Sequence, residues 1–457
     1  MTPTTPPDTP EPLRIPHAPI LKMAAIIVLG LLLLIPLVMV SGVLSERLAR
    51  RDSAVKDITA TWGNPQVIVG PVLIVPYSHV QKAWREQTIG GRVERVEVNE
   101  QVRTRAFFLP AVLQAQGQLS PTRLHRGIYE AVVYDGTVKI SGSFAYPSFA
   151  EWKVDPQQIL WEEAELAISI TDLRGARESL DVTLGGQVYP LRSGSSVEGF
   201  TSGLHTPIKG LASQPASTPF EMRVGLRGSH SLRVAPVGLN SDVQLASTWP
   251  DPSFQGAFLP TDREVGPEGF RARWQMSSYG RSFPQQWTEH SPLSPAAVAT
   301  SLFGVDLEPV VDSYRSVERA IKYGVLPIAL LFTAFFLFEV IAAVRIHPFQ
   351  YTLVGLALCL FYLALLALSE VVSFGAAYWA GAAAATLMIS LYSARTLRGG
   401  RRAGVVAVGL PAVYGFLFVI LRLQDYSLLI GTAGLFVALG LVMWVTRNID
   451  WYAGDSR

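Results

Sequence analysis

Histidine, cysteine and carboxylate are the side chains that most often do chemistry, and their spacing in this chain builds no familiar catalyst. The seven histidines, His17, His79, His125, His205, His230, His290 and His347, are scattered. No two stand four apart, no HExxH string occurs, and the single cysteine, Cys359, leaves no Cys/His cluster for zinc. There is no Gly-x-Ser-x-Gly elbow and no phosphate-cradling loop. Carboxylates crowd at Glu162, Glu163 and Glu165 and again at Asp262 and Glu264. Acid clusters on strands and turns are usually solvated faces. The expectation is no cofactor, no metal and no catalytic residue.

Three features stand above that background. Trp249-Pro-Asp251-Pro-Ser-Phe254, with Phe258 and Trp274, gathers aromatics around prolines. Such rings stack on a sugar or a peptide, or, more commonly, fill a core. Arg345-Ile-His347-Pro forms a tight turn after an apolar run that carries Glu339, and a carboxylate inside a membrane helix faces a partner or water, or snorkels to the surface. Glu370 ends another apolar run, where an acid gains nothing from the helix dipole. An ion pair with the outer domain or with Arg422, or plain hydration, would satisfy it.

The elements that position these residues follow from hydropathy. Residues 1–21 are Thr/Pro-rich and read as a disordered tail. Residues 22–43 form an apolar run longer than a secretory signal core, hence an uncleaved anchor. Over 44–64, Leu44, Leu48, Val55, Ile58 and Trp62 recur at helical spacing until Gly63-Asn-Pro65 stops them. This amphipathic helix is expected to pack on the soluble domain rather than lie on the bilayer.

Residues 65–309 change to short strands. Gln66-Val-Ile-Val-Gly-Pro71-Val-Leu-Ile-Val-Pro76 is β-branched but broken by proline. Strands are also predicted over 102–109, 127–133, 137–144, 164–170, 179–184, 221–226, 231–236, 242–247 and 269–275, with Asp135-Gly136 as a hairpin turn. The pattern predicts an antiparallel, all-β sandwich-like domain, in one or two subdomains. After a helical stripe over 310–321, residues 310–446 carry five apolar blocks, about 323–344, 351–368, 374–392, 404–421 and 427–445. Each is long enough to cross roughly 30 Å of hydrocarbon. The fold class is a membrane protein with six transmembrane helices, one N-terminal and five C-terminal, and a large β domain inserted between the first two. A polar tail, 447–457, closes the chain.

Short cytoplasmic loops carry excess Lys and Arg. Arg345 follows the second span, Arg395, Arg398, Arg401 and Arg402 follow the fourth, and Arg447 and Arg457 lie in the tail. The opposite turns hold Glu370, and Arg422 beside Asp425. Both termini are therefore expected in the cytoplasm, with residues about 44–322 outside. Arg47, Arg50, Arg51 and Lys56 after the first span point the other way, but long translocated domains largely escape this rule. A net charge of +2, without a basic block, gives no reason to expect nucleic acid.

Nearly the whole chain after residue 20 resembles the CreD family of bacterial inner membrane proteins. The likeness rests on the string from Gln66 to Pro76, on Asn240-Ser, and on Ser247-Thr-Trp-Pro-Asp-Pro-Ser-Phe-Gln-Gly-Ala-Phe-Leu-Pro260. It continues through Arg263-Glu-Val, Gly269-Phe-Arg-Ala-Arg-Trp274, Arg345-Ile-His-Pro-Phe-Gln-Tyr351, Leu368-Ser-Glu370 and Thr446-Arg-Asn-Ile-Asp-Trp-Tyr452. The Thr/Pro-rich extension before Leu21 departs from the pattern. The resemblance implies a multi-pass protein of the inner membrane under the CreBC two-component system, linked to envelope integrity, β-lactam response and colicin tolerance. It supplies no catalytic residue. The expected partners are the lipid bilayer and an unidentified envelope protein or glycan. Residues proposed to face them are Trp249, Asp251, Phe254, Phe258, Trp274, Glu339, Arg345, His347 and Glu370. A transporter or permease component is the alternative reading, and an envelope-modifying enzyme without a recognisable motif the third.

Overall fold

The computed structural model describes residues 18–89, 92–175, 180–197, 199–200, 202–213, 216–307, 313–342, 346–396, 400–423 and 426–447. The chain divides into two compact units, Asp52–Val310 and the two flanks, Met1–Arg51 with Val311–Arg457. Two helices open it, α1 (Ala18–Leu32) and α2 (Leu34–Trp62). The break between them falls where Pro36 has no N–H to offer the Leu32 carbonyl.

The β unit begins with four long strands, β1 (Gln66–Ile89), β2 (Arg92–Phe108), β3 (Val112–Arg126) and β4 (Tyr129–Ala145). Shorter ones follow: β5 (Glu165–Ile170), β6 (Asp181–Leu184), β7 (Gln187–Pro190), β8 (Arg192–Ser193) and β9 (Gly203–Pro207). Then come β10 (Ser217–Ser229), β11 (Ser231–Val234), β12 (Asn240–Ser247), β13 (Ser253–Gly256), β14 (Asp262–Gly266) and β15 (Gly269–Ser277). β16 (Gln286–Thr288), the short helix α3 (Pro295–Ala299) and β17 (Phe303–Asp306) complete it.

One sheet runs β13-β17-β11-β1-β5-β9-β8, with β2 on β1 and β16 on β2; the other runs β14-β15-β12-β3-β4-β10-β6-β7. Inward positions alternate along each strand, as Leu113, Ala115 and Leu119 do on β3, whereas Ile68 and Val72–Val75 are buried on both faces of β1. Ile74, Phe107 and Ile168 of the first sheet join Leu113, Val138, Val243 and Trp274 of the second in one core, so the β region is a single unit and not two subdomains.

The structure corrects four local expectations. Asp135-Gly136 is not a turn: β4 runs through it, pairing Gly136 with Leu119 and with Leu226. A Cβ at 136 would stand 2.9 Å from Leu119 Cδ2 and 3.1 Å from Leu226 Cδ1, so glycine serves packing here. The hairpin turn falls instead at Gly127-Ile128, where Gly127 has φ +64°. Pro71 and Pro76 do not break β1; a register shift between Val69 and Val72 takes up the first. β1 and β2 then extend as an antiparallel ribbon to Ile89 and Arg92, and the sheets are not purely antiparallel, since β1–β11 and β12–β3 run parallel.

The end of α2 packs on sheet residues of its own unit. Ile58 is buried against Ala131 and Val133, Trp62 Nε1 donates to the Tyr134 carbonyl at 3.3 Å, and Arg227 lies over the Trp62 ring.

In the helical unit, α4 (Ser313–Lys322) is separate from α5 (Val325–Ala342), and α6 (Pro348–Ser369), α7 (Phe374–Thr396), α8 (Gly400–Arg422) and α9 (Ser427–Thr446) follow. Among the described residues six helical stretches are long and apolar enough to cross a membrane. Small residues let helices meet: a Cβ at Gly355 of α6 would lie 2.1 Å from Leu33 Cδ1. Tyr351, Tyr362, Tyr378 and Tyr414 fill the centre with Phe335 and Phe361.

Candidate functional site

Charged and aromatic side chains meet around the C-terminus of α6. Glu370 follows the last turn of α6 with its side chain 14% exposed, accepting a hydrogen bond from Tyr314 Oη at 3.2 Å and standing 3.6 Å from Arg47 Nε. Arg51 lies over the Tyr314 ring. The sequence offered Arg422 or the outer domain as partners. Arg422 instead lies over Phe418, one turn back on its own helix, while Arg47 comes from the far end of the sequence.

Amphipathic α4 supplies the rest. Val317, Ala320 and Ile321 are buried on one side, and Arg319 Nη2 donates to the Leu421 carbonyl at 2.6 Å, a cation on the orphan acceptors of the α8 C-terminus. Tyr314 and Arg319 thus tie α4 to the C-terminal ends of α6 and α8.

At the start of α6, His347 is the N-cap. Its Nδ1 accepts from Phe349 N at 3.2 Å, Gln350 Oε1 accepts from His347 N at 3.0 Å, and Pro348 takes the first helical position. Arg345 lies outside the described residues. Tyr351 Oη donates to Glu339 Oε2 at 3.5 Å, and the Tyr351 ring meets Phe332 and Phe335 edge-on. The pocket beside these helices, about 540 Å³ between α2, α6 and α7, is lined by apolar groups from Pro36, Val40, Leu360, Met388 and their neighbours; Glu339 is not among them.

In the β unit the aromatic group is core. Trp274 is fully buried and donates from Nε1 to the Phe258 carbonyl at 3.1 Å; its ring meets Phe254 and Phe303. Trp249 is 5% exposed, donates to the Asp251 carbonyl at 3.1 Å and lies under Arg123. Phe254 and Phe258 are half-buried against this core, and Asp251 is exposed. The proline-rich loop thus serves to close the sandwich.

Two clusters carry no sequence signal. Asp172, with a buried side chain, accepts from Arg174 and from Asn64 N at 3.0 Å, while Gln66 Nε2 bridges the carbonyls of Asp172 and Arg227. Arg174 also donates to the Ala60 carbonyl, tying the last turn of α2 to the segment that follows β5. The Arg174 guanidinium holds the Asp172 carboxyl down to about 2, against the opposing effect of burial. The second cluster brings together His79 Nδ1 and His290 Nε2, 3.5 and 3.2 Å from the buried Thr104 hydroxyl. Beside it Glu289 accepts from Arg105, whose hydrogen bonds keep that carboxyl below the usual range. Thr104 is 1% exposed, and its hydroxyl lies within reach of both rings.

The acid clusters singled out by sequence do not converge. Glu163 accepts from Arg103 at 3.1 Å and Glu264 pairs with Arg271 at 3.5 Å. Among the described residues no three His, Cys, Asp or Glu side chains could hold a metal ion.

A family model described as inner membrane protein CreD matches residues 18–452. Inner membrane protein CreD of Escherichia coli (strain K12) is 33% identical over 439 residues, covering 94% of this chain and 93% of its own. Among solved structures, native yeast LTA4 hydrolase aligns at 12% identity over 46% of this chain and 35% of its own, with a TM-score of 0.19 that carries no argument.

Proposed function

We propose a structural, partner-binding role in the cell envelope for this chain, which belongs to the CreD family of inner membrane proteins. It is a multi-pass protein of that membrane. In this reading both termini are cytoplasmic and the β unit faces the periplasm, following the basic loops. The protein contributes to envelope integrity and to the response to envelope stress, including β-lactams and colicins. It does so without catalysis, through contacts of the β unit with an envelope protein or glycan.

The observation that supports a non-enzymatic role is where the β unit spends its carboxylates. Asp172, Asp242, Glu289 and Asp306 each take an arginine, from Arg174, Arg273, Arg105 and Arg233, at 2.5 to 2.7 Å. Acid–base catalysis instead wants carboxyl groups whose environments push their proton affinities apart. The arginines hold Asp172, Asp242 and Glu289 below the usual carboxylate range, and all four pairs serve rigidity.

Reporter fusions test the orientation on which the role depends. Fusions after Arg398 and Arg457 are expected to report cytoplasm, and one at Ser195 the periplasm. A cytoplasmic signal at Ser195 overturns the proposal. Deleting the gene and restoring it with a chain lacking the β unit tests the rest: restoration of detergent and β-lactam tolerance by that chain would refute a role for the β unit.

A further inference from the structure

α2, α6 and α7 form the walls of the groove of about 540 Å³ in the helical unit, a volume within the range of small-ligand sites. α2 contributes Pro36 and Val40, α7 contributes Met388 and Tyr392, and α6 lines it from Leu353 to Leu363. No Ser, Thr, Asn, Gln or charged side chain lines it. Ten residues of α6 separate Leu353 from Leu363, about 15 Å at the helical rise. That is half of the roughly 30 Å of hydrocarbon, the depth of one leaflet.

One end of the groove leads to a cation. Met388, Tyr392 and Arg395 fall at i, i+4 and i+7, on one face of α7. Arg395 therefore stands about 4.5 Å along the helix axis beyond Tyr392. Gly381 packs on Phe361, and Tyr392 shares the groove with Leu353. α7 thus runs antiparallel to α6, with Arg395 level with the first turn of α6. Arg395 is exposed, and among the described residues it makes no hydrogen bond or ion pair. The next residues in sequence include Arg398, Arg401 and Arg402 and no acid. Glu339 is bound on the far side: Tyr351, its donor at 3.5 Å, lies nine residues from Leu360 and so opposite the groove on α6.

The candidate occupants differ in what they need. A polar solute needs hydrogen-bond partners, which aliphatic walls do not give. A helix of a second copy needs small residues, so that backbones approach closely. Leu353, Leu356, Leu360, Leu363 and Met388 stand exposed along the open side and hold a backbone off. An alkyl chain needs only an apolar trough of one leaflet's depth, and the bilayer around a multi-pass protein supplies it. The unpaired cation at the head of the trough, and the basic residues that follow it, complement a negative headgroup.

We propose that the groove between α2, α6 and α7 holds one acyl chain of an anionic phospholipid, with Arg395 at its phosphate. The proposal rests on the multi-pass membrane character of the chain and stands whichever side the β unit faces.

The test uses the full chain in phosphatidylcholine nanodiscs doped with phosphatidylglycerol that carries a photoreactive diazirine in one acyl chain. Mass spectrometry of the labelled peptides is expected to find the probe on 353–363 and 388–392 well above its level on α9. Labelling there should exceed that by the same probe built on phosphatidylcholine about fivefold, the worth of one basic side chain at an anionic surface. Arg395→Gln should erase that preference. Leu360→Trp, at an exposed position, should block labelling of the groove by either probe, and Leu429→Trp on α9 should not. Labelling spread evenly over the lipid-facing helices, equal labelling by the two probes, or a preference that survives Arg395→Gln overturns the proposal. Displacement of the probe by inorganic phosphate alone would mark a phosphate site without a chain and overturns it too. If Leu360→Trp does not fold, the wild-type labelling pattern and Arg395→Gln still decide.

Discussion

Replacing Asp172 by Asn removes the charge that joins the segment after β5 to the α2–β1 connection. The carboxylate is 6% exposed and receives Arg174 at 2.5 to 3.0 Å together with Asn64 N. Its folded value of about 2 against an ordinary 3.8 corresponds to about 2.4 kcal/mol, at 1.36 kcal/mol per tenfold change in proton affinity. Because Arg174 is half exposed to water, about 1–2 kcal/mol is the realistic share. The folded value is depressed, so this stability is fully present above about pH 4 and is lost as pH falls through 2.

Hydrogen exchange read by mass spectrometry, on β1 peptides of the full chain in detergent, measures it. After correction for intrinsic exchange rates, wild type and Asp172→Asn should differ by about 1–2 kcal/mol in opening free energy at pH 7. Near pH 2 the two should converge. A difference of equal size at both pH values would show that packing, not charge, is at stake, and would refute the reasoning.

Three further outcomes are expected. Gly63→Ala places a Cβ 2.6 Å from the Arg227 carbonyl oxygen and should destabilise the β unit by about 1–3 kcal/mol, whereas Gly225→Ala, with nothing within 4 Å, should be neutral or slightly stabilising in the same exchange assay. His347→Ala removes the N-cap of α6 and should cost about 1 kcal/mol, most of it restored by His347→Asp, as followed by thermal unfolding in detergent. Glu370→Ala leaves Tyr314 and Arg47 without their shared acceptor and should loosen α4; faster proteolysis between α3 and α5 would register it, and Arg422→Ala should have no such effect.

The six apolar spans, the stop at Gly63-Asn-Pro65 and the strand-rich middle could be read without a structure, because each depends on a residue's near neighbours. A run of some 20 apolar residues meets the same hydrocarbon whatever surrounds it. The turn at Arg345-Ile-His347-Pro was equally local, and the structure adds that His347 and Gln350 cap α6 there. Sequence failed where a residue's meaning depends on register. Asp135-Gly136 has turn chemistry, yet β3 and β10 pair straight across it. Glu370 finds Arg47 across more than three hundred residues, His79 finds His290 across two hundred, and the Gln114–Asp242–Gln275 row exists only once β3, β12 and β15 lie side by side. Local propensity selects helices and strands; which polar side chains come to share a surface is decided by how distant strands and helices slide into register, and in a strand a one-residue slip would turn them to the opposite face.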